Sequence, residues 1–99
     1  MRSSLVTRNV RIHDRRTSVR LEPQLWRALE TIAEIERVDI NEICSRVEET
    51  RGPDGGFTSA LRVYIVEYFT AEARRRLRDR EVEKAEPVGA RGAARQLAI

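Results

Sequence analysis

The chain has little with which to do covalent chemistry. Its 99 residues hold one cysteine, Cys44, and one histidine, His13. A single cysteine forbids an intrachain disulfide and suits a reducing compartment. A lone histidine without a cysteine pair offers no metal ligand set. Ser18, Ser45 or Ser59 would need an oriented base to act as a nucleophile, and none is evident. The Gly52–Gly56 loop lacks the lysine and the serine or threonine of a phosphate-binding loop. Aromatic residues make up 5%, and no apolar run approaches the roughly 20 residues that span a bilayer. The first seven residues lack the apolar stretch of a secretory leader. These absences argue against an enzyme, a metal centre, a cofactor and a membrane span. The expected location is the cytoplasm, at the nucleoid.

What the chain has is charge, 35% of its residues, with a net value of +3. Its distribution says more than its sum. Residues 1–20 carry six arginines and one acid, whereas residues 21–70 carry five arginines and ten acids. A basic start ahead of an acidic body concentrates positive potential on one end of the fold. At this length a single domain with a modest core is expected, and so small a core often needs a second copy.

The stretch Arg15–Pro23 alternates with a period of two. Thr17, Val19 and Leu21 point one way, and Arg16, Ser18 and Arg20 the other. One face suits burial and the other is cationic. Slipping the register by one residue would bury the arginines, so the register is well specified. Upstream, Asn9–His13 also alternates, with Val10 and Ile12 on one side. Asp14-Arg15 permits either a hairpin turn or a single bent strand. From Pro23 to about Arg37 the period turns helical, with Leu25, Leu29, Ile32 and Ala33 in a stripe that Trp26 and Ile35 broaden. Asn41 suits the N-cap of a second helix carrying Ile43, Cys44 and Val47 and ending near Arg51. Gly52-Pro53-Asp54-Gly55-Gly56 breaks the chain. Thr58 or Ser59 is expected to cap a third helix, apolar on nearly all sides through Phe69 and therefore buried. The expected organisation is a flexible arm at 1–9, a domain at 10–70, a charged helical extension at 71–86 and a flexible tail at 87–99.

Strand, helix, short turn, helix, with arginines on the outward strand face, resembles the ribbon-helix-helix DNA-binding proteins of the Arc, MetJ and CopG superfamily. The residues that carry the resemblance are Arg16-Thr17-Ser18-Val19-Arg20-Leu21-Glu22-Pro23, then Leu25-Trp26 and Leu29, then Ile40-Asn41-Glu42-Ile43. Thr58 to Tyr64 resembles the branch with a third helix after a Gly-rich loop. The resemblance implies a mainly α fold with a short β-ribbon: an intertwined homodimer with an antiparallel intermolecular strand pair and an extra C-terminal helix. It implies a ribbon in the major groove of double-stranded DNA and a role as transcriptional regulator or repressor. By position, Arg16, Ser18 and Arg20 would meet base edges. Arg15 and the start of the second helix, Asn41, Glu42 and Ile43, would meet phosphate. Val19, Leu21, Trp26, Leu29, Ile43 and Val47 would form the dimer core. Glu42 departs from the family pattern, since an acid in the first helical turn repels phosphate, and Asp39 stands where many family members carry glycine. Two other readings stand beside this one. One is an antitoxin-type regulator that holds a protein partner through its C-terminal segment. The other is a helical interaction protein that binds no nucleic acid.

Overall fold

The computed structural model describes residues 4–85. In chain order it has β1 (Val6–Ile12), β2 (Arg15–Leu21), α1 (Pro23–Glu36), α2 (Ile40–Thr50) and α3 (Phe57–Ala85). The chain divides into two units, up to Tyr68 and from Phe69 onward.

The hairpin is the reading that holds at residues 9–21. β1 pairs antiparallel with β2, in a register running from Ile12 opposite Arg15 to Val6 opposite Leu21. His13 and Asp14 make the two-residue turn, and His13 takes φ 56°. Two-residue hairpin turns need a positive φ, and histidine tolerates it better than bulky or branched residues do. β1 begins at Val6, inside the stretch expected to be a flexible arm. So β2 finds its first partner within its own chain.

Period-two alternation sends Val10, Ile12, Val19 and Leu21 to one face, where all four are buried. α1 lays Trp26, Leu29, Ile32 and Ala33 against them, and α2 adds Ile43, Cys44 and Val47. Leu61 and Ile65 of α3 complete this core. The six residues expected in a dimer core (Val19, Leu21, Trp26, Leu29, Ile43 and Val47) are therefore all buried within one chain. Burial of such side chains stabilises by about 1.5–3 kcal/mol each.

Pro23 opens α1, whose first turn is held by amides of Leu25 and Trp26 donating to the Glu22 carbonyl. The helix closes at Arg37, which takes the left-handed φ of 60° where glycine is usual. The amide of Val38 then reaches back to the Ala33 carbonyl at 3.0 Å. The N-cap of α2 is Asp39, not Asn41: its carboxylate accepts from the Glu42 amide at 2.9 Å. α3 starts at Phe57, ahead of the expected caps Thr58 and Ser59.

Two apolar expectations fail for one reason. A helix packed on a small core buries one stripe only. Ile35 of α1 is 53% exposed, and Val63 and Val66 of α3 are 54% and 61% exposed. In the second unit α3 continues to Ala85 with Leu77 and Val82 exposed. The expected tail at 87–99 lies outside the described residues.

Candidate nucleic-acid interface

The hairpin turn fixes which backbone groups face inward. In a two-residue hairpin the closing pair, here Ile12 and Arg15, exchanges hydrogen bonds, and bonded and non-bonded pairs then alternate. The non-bonded pairs are Arg11 with Arg16, Asn9 with Ser18, and Thr7 with Arg20. Their side chains share the exposed face of the sheet. Their amides and carbonyls point away from the hairpin, along its two outer edges.

The outer face thus carries three arginines, two hydroxyls and an amide, and no acid. Arg16, Ser18 and Arg20, the expected base-contacting residues, line it together. The Ser18 hydroxyl donates to Oδ1 of Asn9 at 2.8 Å. Arg11 and Arg16 stand directly opposite each other, an unfavourable like-charge pair. Among the described residues no carboxylate pairs with Arg11, Arg16 or Arg20. Thr7, Asn9 and Arg11 were missed as members of this face. The Val10/Ile12 alternation was the available signal, because burying those two residues sends Asn9 and Arg11 outward.

Arginines on the other face are neutralised. Arg8 bonds Glu30 at 3.1 Å and lies 4.6 Å over the Trp26 ring. Arg15, expected at phosphate, turns toward α2 and sits 4.0 Å from Glu48. Glu48 also accepts from Arg51 at 2.8 and 3.0 Å, and those charge-assisted bonds hold its carboxyl below the usual range. His13 Nε2 lies 3.8 Å from Glu49. Elsewhere, Arg62 ties α3 to Glu22 at 3.2 Å. The Tyr68 hydroxyl donates to Glu36 at 2.7 Å, and Arg46 meets Glu36 and Glu42.

The other expected phosphate residues are occupied otherwise. The amide of Glu42 serves Asp39, and that of Ile43 donates to the Asp39 carbonyl at 3.3 Å. The Asn41 side chain accepts from the Arg11 amide at 2.8 Å, and Ser45 Oγ accepts from the His13 amide at 3.0 Å. Both bonds cap the outer edge of the hairpin at β1. The outer edge of β2 meets no partner among the described residues. Cys44 is fully buried, which pushes its thiol up to about 11, and a thiol so raised is a poor nucleophile.

A two-stranded antiparallel ribbon with a cationic face, followed by packed helices, defines a class of β-ribbon nucleic-acid binders. Comparison makes the assignment: the ribbon-helix-helix domain matches residues 5–69, and the chain belongs to that family. The family is generally one of DNA-binding transcription regulators, typically without enzymatic activity. No curated protein and no solved structure matches the chain. Among the described residues, no helix is long and apolar enough to cross a membrane.

Proposed function

We propose that the protein binds double-stranded DNA sequence-specifically as a homodimer and acts as a transcriptional repressor at the nucleoid. The observation that carries this reading is the outer sheet face, with Arg11, Arg16 and Arg20 and no acid among its six residues. Like charges held together without counter-ions favour a polyanion, whose binding releases condensed cations. Arginine forks onto guanine O6 and N7, and serine donates or accepts, so Arg16, Ser18 and Arg20 have the chemistry of base readers.

The edge of β2 supports the dimer. Its outward amides and carbonyls at Arg16, Ser18 and Arg20 are the groups a second strand needs. A two-fold axis at Ser18 pairs Ser18 with its own copy and Arg16 with Arg20, satisfying all three positions in both chains. The assembled face then doubles its arginines, which strengthens its demand for DNA.

The test is selection of bound sequences from a random duplex pool, using the wild type and Arg16→Ala and Arg20→Ala variants. A palindromic site is expected from the two-fold symmetry. Each alanine is expected to lose about 1–3 kcal/mol against that site and to relax preference at its own position. Recovery of no enriched sequence, or of the same site at the same affinity by both variants, would sink the reading.

A further inference from the structure

If β2 reads bases, some other part of the chain has to hold the phosphates, and two places compete. The first is the start of α2. A depression of about 410 Å³ there is lined by Asp39, Glu42 and Glu49 beside Arg11, His13, Asn41 and Ser45. Three carboxylates repel a phosphate, and the Asp39 carboxylate already serves as the anion for this helix end. The second is the edge of β1. A shallow depression of about 310 Å³ there is lined by Asn9, Val10, Arg11, Arg16 and Asn41. It offers two guanidiniums and two side-chain amides, with no acid.

Sheet geometry favours the second place. Two copies joined at their β2 edges form four strands in the order β1, β2, β2, β1. Strands lie about 4.8 Å apart, which sets the two β1 strands about 14 Å from each other. The major groove is about 12 Å wide. The central β2 pair fits inside it, and the two β1 strands fall at its walls, where the phosphates run. We propose that Arg11, with Asn9 beside it, is the phosphate contact of this protein, and that β1 takes this role in place of the start of α2. The Arg11 amide is fixed by Asn41 at 2.8 Å, so its backbone is held while the side chain stays exposed. The proposal rests on the DNA-binding reading above.

The test is equilibrium binding of the full chain to a selected duplex and to a random-sequence duplex across a range of salt. Arg11→Gln is expected to weaken both duplexes by the same factor. It should flatten the slope of log affinity against log salt by about two per dimer, one phosphate contact per chain. Arg11→Lys keeps the point charge and should keep the slope. Thr7→Lys, on the same face of β1, should steepen it by about the same two units. An unchanged slope in Arg11→Gln and Thr7→Lys overturns the proposal while leaving DNA binding in place. A loss in Arg11→Gln confined to the selected duplex also overturns it, since Arg11 would then read bases. A wild type that binds neither duplex at low salt removes the DNA reading, and this proposal with it.

Discussion

On the β1 side of the hairpin the amides of Arg11 and of the turn residue His13 are taken by Asn41 and Ser45 of α2. Along the outer edge of β2 the outward groups of Arg16, Ser18 and Arg20 meet nothing among the described residues. Open strand edges invite pairing with other chains, and proteins usually blunt them. Here the turn end of one edge is blunted by two side chains from a single helix, and the other edge is left bare along its length. The contrast gives the hairpin a direction. It is open to one more strand along the β2 side and obstructed at the turn end of the β1 side, which suits a closed dimer rather than an open fibre.

The comparison breaks first at Ser18. Proline is tolerated on an edge strand where its missing N–H would face solvent, but not where that N–H joins a ladder. Ser18→Pro is therefore expected to keep the fold of the chain and weaken the dimer by on the order of a hundredfold. Sedimentation at micromolar concentration reads this, and a variant that stays dimeric would exclude the β2 edge as the interface. Next, Asn41→Ala unmasks the Arg11 amide of β1 and Ser45→Ala the His13 amide of the turn. Each should cost about 1 kcal/mol in urea unfolding, and the double variant should associate beyond the dimer as concentration rises. No loss of stability in either would mean that α2 does not guard that edge.

The smallest effect concerns Glu48, which faces Arg15 on the side of the sheet turned toward α2. Its folded carboxyl lies below its unfolded value because Arg51 hydrogen-bonds it. Such a group adds stability above the unfolded carboxylate range, near pH 4, and that stability is lost as pH falls through the lowered folded value. Melting temperature of the wild type should therefore exceed that of Glu48→Gln near neutral pH, and the two should converge in acid. A gap that widens on acidification would reverse the sign.

Much of the fold was legible because its signals were local. The alternation in Arg15–Leu21 and the helical stripe after Pro23 each needed only neighbouring residues. The cationic outer face followed from the same alternation. What was not legible depended on distant partners. Val19, Leu21 and Trp26 read as core in sequence, but apolarity does not say which copy of the chain covers a residue. Asp39 and Asn41 are both good capping residues. The choice fell to Asp39 because Asn41 was needed at the Arg11 amide, 30 residues away in sequence. Ile35 matched the helical stripe and stayed exposed, since the stripe was wider than the surface available to cover it.

Trp26 is the chain's single tryptophan. Its indole N–H donates to the Val6 carbonyl at 2.8 Å, and the Arg8 guanidinium covers its ring. One residue of α1 thus holds the far end of β1, opposite the turn. The arrangement is a built-in optical gauge: emission from this indole follows the seating of the hairpin on the helices, with no label added. Seating can then be timed separately from events on the outer face, because the gauge lies on the side of the sheet turned away from Arg11, Arg16 and Arg20.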